Sequence, residues 1–137
     1  MDPQTEMEVW LENFLAQHCA TSGTVHLSRD GGLRLAAAVN IPLPVQQVVA
    51  WVPSGKGMAG LALERHEPIL TCNLKEDRTG NVKPGAKAVD ARAAVAIPVD
   101  DAAGNVRAVV GIAFPEERDF SPADLERLRQ SASTLPG

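Results

Sequence analysis

The sequence predicts an α+β fold, an α/β sandwich in which helices cover both faces of a central antiparallel β-sheet. The main observation is the stretch 92–114, where two apolar runs alternate with period two around a short turn that contains Gly104. The second run, 106–114, is apolar on both faces through its middle, so a packed layer must cover each side of it. The predicted order of elements, helix–β–β–helices–β–loop–β–β–helix, agrees with this architecture.

Length and composition indicate one globular domain. A chain of 137 residues buries roughly two thirds of its unfolded surface. We predict a single domain over 1–137, with an N-terminal helix in 1–20, the sheet and pocket region in 23–119 and a C-terminal helix in 121–135. The initial methionine favours a chain that stands alone over a fragment of a longer protein.

Charge and aromatic content exclude several kinds of partner. The net charge is −4, and the chain has no Tyr, two Trp and three Phe, so it is poorly equipped to attract or stack on nucleic acid. The acidic start is not a signal peptide, and no apolar run reaches the ~20 residues of a membrane span. We therefore predict a cytoplasmic protein with neither a nucleic acid nor a membrane as partner.

The first helix is predicted to begin at Asp2, the N-cap, with Pro3 at its first position, and to end near Cys19. Apolar residues recur on one face of this helix. Because that face carries Trp10 and Phe14, it must dock on something. The full stripe consists of Met7, Trp10, Leu11, Phe14, Leu15 and His18.

The middle of the chain predicts a hairpin and several short elements. Residues 24–29 and 33–39 alternate around an Asp-Gly turn at 30–32, a pattern typical of two paired strands. After two prolines, 45–52 predicts a short helix. A tight loop over 53–60 then leads into a helical stretch at 61–65, and 68–73 predicts another short strand.

The last part of the chain predicts a long loop and a well-capped helix. The polar stretch 74–91 is longer than most connections in compact domains, and such loops often act as lids over a pocket. After the central hairpin, Ser121 is the expected N-cap of the final helix, with Pro122 first and Asp124 third. Its apolar stripe consists of Leu125, Leu128, Ala132 and Leu135.

The segment 55–60 spells G-x-G-x-x-G, a pattern found in dinucleotide-binding loops. That function requires a βαβ unit with a parallel strand, whereas the rest of this chain predicts antiparallel pairing. The glycines are better explained as a turn that lets a helix start close to the sheet. Free backbone N–H groups at that helix start, beside Lys56, are suited to hold a small anion.

Motifs of catalysis and metal binding are absent from the sequence. The three histidines, His18, His26 and His66, are scattered without the spacing of a metal site. Cys19 and Cys72 form no C-x-x-C motif, which favours two reduced thiols over a disulfide. We therefore predict no cofactor, no metal and no catalytic residue.

Four motifs in this order resemble the GAF domain, a small sensory module of signalling proteins. They are Gly57-Met-Ala-Gly60, Ala94-Val-Ala-Ile-Pro-Val-Asp100, Val109-Val-Gly-Ile-Ala-Phe114 and Phe120-Ser-Pro-Ala-Asp124. The resemblance extends over residues 23–135. It implies that one sheet face carries the first and last helices, which commonly pair between protomers, and that the other carries a ligand pocket roofed by short helices and the long loop.

The sequence departs from the best-known branches of this family. Leu125 replaces the glutamate of the cyclic-nucleotide binders, and the few aromatic residues do not suit a bilin pocket. Free methionine sulfoxide reductases carry one cysteine in the glycine loop and another near the end of the long loop. Here those places read Met58-Ala59 and Ala86-Lys-Ala88, and Cys72 alone cannot run a thiol–disulfide relay.

We therefore predict a non-catalytic sensory domain that binds a small polar or anionic molecule between the sheet and the region 53–91. The first alternative is a ligand-free module that dimerises through the terminal helices, which is compatible with ligand binding. The second is an enzyme of the sulfoxide reductase kind, which would need Cys72. The predicted pocket residues are Trp51, Lys56, Gly57, Thr71, Asn73 and Arg92.

Overall fold

A computed structural model describes residues 2–71, 93–116 and 118–136, and the elements below lie in this part of the chain. The helices are α1 Pro3–Gln17, α2 Leu43–Val48, α3 Gly57–Arg65 and α4 Pro122–Ala132. The strands are β1 Ser22–Arg29, β2 Gly32–Val39, β3 Trp51–Pro53, β4 Ile69–Thr71, β5 Ala93–Asp100 and β6 Val106–Phe114.

The six described strands form one sheet in the order β3-β2-β1-β6-β5-β4, and neighbouring strands are antiparallel. Strand β6 lies between β1 and β5, as its apolar sequence predicts. Its adjacent residues Val109 and Val110 point to opposite faces, and both are fully buried. The predicted α+β fold, with an antiparallel sheet covered on both sides, is confirmed.

Helices α1 and α4 cover one face, which we call the helix face. Large apolar side chains from the central strands pack there against Leu11, Phe14 and Leu128. Trp10 stacks on Phe14 with ring centroids 4.9 Å apart, and its Nε1 donates a hydrogen bond to Thr134 Oγ1 at 2.9 Å. The aromatic stripe of α1 is therefore used within the chain. The strand residues of this core are Val25, Ala37, Ala93, Val95, Ile97, Val99, Ala108, Val110, Ile112 and Phe114.

Helices α2 and α3 lie on the opposite face, which we call the cavity face. A second apolar cluster there joins Leu61 and Ala62 of α3 to Val109 of the central strand. Leu33, Val52, Ile69 and Ala96 complete this cluster. The two faces thus have separate cores. None of the described helices is long and apolar enough to cross a membrane.

The predicted caps and hairpin turn are present. Asp2 Oδ1 accepts a hydrogen bond from the Thr5 amide at 2.9 Å, and Ser121 and Asp124 form a reciprocal capping box at the start of α4. Asp30 and Gly31 both have positive φ angles, +48° and +79°, as a primed two-residue hairpin turn requires.

Two predicted boundaries were wrong. The helix predicted over 45–52 is α2 followed by β3, because Pro44 fits the first turn of a helix and 51–53 pairs with β2. Helix α3 begins at Gly57, four positions before the predicted start at Leu61. Gly60 permits this, because a Cβ on it would lie 2.5 Å from the Pro53 carbonyl oxygen.

The strand predicted over 68–73 is present as Ile69–Thr71, and its predicted end lies outside the described residues. Cys72 and the predicted loop at 74–91 lie outside the described residues. Leu135, predicted on the stripe of the last helix, follows the end of α4 and is nonetheless buried against the helix face.

Candidate functional site

A cavity of about 150 Å³ lies between the cavity face of the sheet and the two short helices. Its floor consists of small side chains on three neighbouring strands, namely Ser22, Thr24, Ala94, Ala96, Gly111 and Ala113. Its roof consists mainly of apolar residues from α2 and the positions flanking it, from β3 and from the start of α3, namely Ile41, Val45, Val49, Val52, Met58 and Ala59. All of these lining residues belong to the described part of the chain.

The alternation of small and large residues along the strands creates the floor. Ala113 pairs with Ser22 on one side and with Ala94 on the other, which gives one row of small side chains across the sheet. Gly111 pairs with Thr24 and Ala96 in the next row. Between these rows, Ile112 and Val95 point their large side chains to the helix face, whereas Gly23 leaves room there for Leu11 and Leu15.

At Gly111 the floor carries no side chain. A Cβ there would meet one neighbouring atom within 4 Å, Thr24 Oγ1 at 3.1 Å. The third row across the same strands carries His26, Val109 and Pro98, and these larger side chains end the floor in that direction. The cavity is therefore built into the register of the sheet.

His26 is the most unusual polar residue of the cavity, since it is only 3% exposed. Its Nε2 lies 2.8 Å from the carbonyl oxygen of Val49. Burial lowers the pKa of His26 below its ordinary value of 6.5, so the ring is neutral at physiological pH. Its other nitrogen, Nδ1, is buried and has no hydrogen-bond partner among the described residues.

Ser22 and Lys56 supply the other notable polar groups. Ser22 is 3% exposed, and its hydroxyl oxygen also has no partner among the described residues. Lys56 borders the cavity as the N-cap residue of α3, where no side chain of the described residues caps the first amides. Because those amides carry the positive end of the helix dipole, this corner suits an anionic group.

The structure brings two of the six predicted pocket residues to the cavity, Lys56 and Gly57. Trp51 is exposed on β3, where its ring packs over Gly32, and does not line the cavity. Thr71 pairs with Ala94 in the sheet but is not part of the lining. Asn73 and Arg92 lie outside the described residues.

Neither the floor of the cavity nor the polar cavity residues on β1 were predicted from the sequence. Ala94 and Ala96 in β5, and Gly111 and Ala113 in β6, are small residues that alternate with large ones in strands with two buried faces. This pattern indicates space on one face of the sheet. His26 was noted only as an isolated histidine. Its burial depends on β1 lying inside the sheet, which its own sequence does not show.

The described part of the chain gives little support for metal binding or for cysteine chemistry at the cavity. No group of three His, Cys, Asp or Glu side chains is arranged there to hold a metal ion. Cys19 is a free, exposed thiol after the end of α1 and does not line the cavity.

Acid is expected to destabilise the fold through His26. Because its folded-state pKa is depressed, the unfolded chain binds more protons as the pH falls below about 6.5. The neutral ring contributes its full stability above that pH. This stability is lost progressively as the pH falls from there to the folded-state pKa. Urea midpoints measured from pH ~7.5 to pH ~5 should therefore fall, with about 1.4 kcal/mol lost for each unit of pKa depression.

The control for this pH dependence is His26→Gln, which lacks the titrating ring. Its midpoint should vary less with pH than that of the unmodified protein. Some dependence should remain, because burial and the neighbouring Arg118 also lower the pKa of His18. An unchanged pH profile in His26→Gln would contradict the role assigned to His26.

Comparison with known families gives one match that covers nearly the whole chain. The family model described as "GAF domain" matches residues 6–135. No curated protein matches the chain.

Several solved structures share the fold at low sequence identity. The GAF domain of a phosphoenolpyruvate-protein phosphotransferase from Coxiella burnetii is 18% identical, with a TM-score of 0.79 over 98% of this chain and 80% of that one. A type II free methionine-R-sulfoxide reductase from Thermoplasma acidophilum is 16% identical, with a TM-score of 0.78 over 97% of this chain and 89% of that one.

The free methionine-R-sulfoxide reductase from Neisseria meningitidis, whose structure is a complex with its substrate, is also similar. It is 14% identical, with a TM-score of 0.74 over 98% of this chain and 77% of that one. At these identities the likeness establishes the fold alone, and that fold is shared by regulatory domains and by enzymes.

Proposed function

Because the chain belongs to the GAF domain family, we propose that it is a non-catalytic regulatory domain that binds a small polar or anionic molecule in the cavity. The observation that carries this proposal is the cavity itself. Its floor of small side chains leaves room that larger residues would fill, and two buried polar atoms beside it, on Ser22 and His26, have no partner among the described residues.

The start of α3 supports an anionic group on the ligand. Within the described part of the chain the amides at this helix end have no side-chain cap, and Lys56 adds a positive charge at the same corner. A carboxylate or phosphate at that place would accept hydrogen bonds from the amides and pair with the ammonium group. The apolar remainder of the lining would contact the rest of the molecule.

A regulatory role is supported by the arrangement of the two faces. The strands that form the floor of the cavity also carry the core beneath α1 and α4, because their side chains alternate between the faces. At the end of α3 that lies away from the cavity, His66 contacts Asp100 at 2.5 Å, and Asp100 lies 3.9 Å from Arg129 of α4. A ligand that shifts α3 would therefore act on groups that also contact a terminal helix.

The non-catalytic assignment rests on the residues around the cavity. No cysteine of the described part lines it, and the start of α3 reads Met58-Ala59. The alternative, a reductase of free methionine-R-sulfoxide, is tested by an activity assay of the purified protein with a dithiol reductant. Turnover that is lost in Cys72→Ser would establish the enzyme and overturn our proposal.

We also propose that two copies pair through the outer surface of the terminal helices. Trp10 is packed within the chain, whereas Val9 on the same helix is exposed. Val9→Glu is therefore expected to split a dimer without disturbing the core. Analytical ultracentrifugation should show a dimer that becomes a monomer in this variant, and a monomeric unmodified protein would contradict the pairing.

A native mass spectrum of the purified protein tests the ligand proposal directly. We expect an added small mass on the folded species that disappears on denaturation. For protein purified without ligand, we expect a metabolite panel to contain an acid that raises the melting temperature. If no compound binds in either experiment, the ligand-binding role fails and dimerisation remains as the function of the module.

A further inference from the structure

The one hydrogen bond of His26 determines which of its ring nitrogens is a donor and which is an acceptor. A backbone carbonyl oxygen can only accept, so the Nε2 atom that lies 2.8 Å from the Val49 oxygen must carry the proton. A neutral imidazole has one donor and one acceptor nitrogen. Nδ1 is therefore an acceptor, and it is buried without a partner among the described residues.

Most of the remaining lining offers nothing to this acceptor. Apart from Ser22, Thr24, His26 and Lys56, the side chains around the floor and roof are apolar. Ser22 is the second buried group without a partner, and because a hydroxyl both donates and accepts, it does not restrict the polarity of a ligand. His26 does restrict it, since a ligand group that contacts Nδ1 must carry an N–H or O–H donor to satisfy it.

The volume of the cavity limits the part of the ligand that enters it. A cavity of about 150 Å³ lined by aliphatic side chains is known to accommodate a single benzene ring. A purine or a flavin would exceed this space, whereas one six-membered ring or a branched chain of similar size would fill it.

Building on the proposed function, we propose that the buried part of the ligand is an uncharged group about the size of one ring, whose hydroxyl or N–H donates a hydrogen bond to His26 Nδ1. The anionic group assigned to the corner at Lys56 then lies at the other end of the same molecule. The ligand class is a small hydroxylated or N–H-bearing ring or branched-chain acid.

Phenol and toluene are suitable probes, because they have nearly the same size and differ in one donor. Isothermal titration of the unmodified protein should show that phenol binds about tenfold more tightly than toluene, as expected for one additional hydrogen bond. In ¹⁵N-resolved NMR spectra, the His26 Nδ1 resonance should move upfield with phenol and stay in place with toluene.

His26→Gln is the matched variant. The amide nitrogen of the glutamine can still donate to the Val49 carbonyl, but the variant has no acceptor at the position of Nδ1. We expect phenol to bind this variant about as weakly as toluene does, while toluene affinity is unchanged. If the variant does not fold, the NMR comparison on the unmodified protein decides the matter.

Equal affinities for the two probes, or phenol binding without a change at Nδ1, would overturn the assignment of the donor and leave the cavity as a binding site. Absence of binding by both probes would overturn it as well. The native mass spectrum and the acid panel test the proposed function separately, so the two failures can be distinguished.

Discussion

Replacement of Ile112 by alanine is expected to lower the free energy of unfolding by about 2–5 kcal/mol. Ile112 lies on the central strand β6, points to the helix face and is 2% exposed. Truncation removes apolar contacts and leaves a void between the sheet and the terminal helices, which cannot collapse because strands on both sides fix β6. In a domain stabilised by about 5–15 kcal/mol, this is a large share.

Urea denaturation followed by Trp fluorescence measures this loss. The matched control is Ile41→Ala, which makes the same truncation at a partly buried residue on the roof of the cavity. It should cost about 1 kcal/mol or less, because the space around Ile41 is already open. Similar losses at the two sites would mean that the faces are equally well packed, which would argue against a preformed cavity.

The central strand β6, the helix caps and the first hairpin turn are the parts of the fold that the sequence predicts best. Val109 and Val110 follow one another in a strand that is apolar on both faces, so the central position of β6 follows from the sequence. The caps at Asp2 and Ser121 and the primed turn at Asp30-Gly31 were predictable for a similar reason. Each is a local rule, satisfied by residues within four positions of one another.

The short elements between β2 and β4 were less predictable because their structure depends on partners distant in sequence. Trp51–Pro53 is a strand only because Gly32–Arg34 is available to pair with it. Gly57, with a φ of +65°, lies where the chain enters α3, and Gly60 packs against the Pro53 backbone. The glycines permit this early helix start, but the pattern also fits a loop.

The candidate site was the hardest part to predict, because its residues come from separate segments and are mostly small. Charged and polar side chains directed attention to 53–91, and Lys56 and Gly57 do border the cavity. The floor is defined by what is missing at Gly111, Ala94 and Ala113. Such an absence becomes visible only when the register of three strands is known.

Replacement of Ala113 by leucine is expected to abolish ligand binding while the fold stays as stable as before or becomes more stable. Ala113 lies at the centre of one floor row and contacts the apolar roof around Ile41, Val45 and Met58. A leucine there extends into the space that a ligand would occupy. Filling an apolar cavity commonly adds about 0.5–2 kcal/mol of stability, so loss of binding would not come from unfolding.

Two measurements on the same sample check this expectation: thermal unfolding of the ligand-free variant, and titration with the acid that stabilises the unmodified protein. We expect affinity to fall at least about a hundredfold, because the side chain and the ligand cannot share a space of this size. Ala102→Leu is the control, since it makes the same change in the exposed turn before β6. Unimpaired binding in Ala113→Leu would place the ligand elsewhere, whereas loss of binding in both variants would point to an effect unrelated to the cavity.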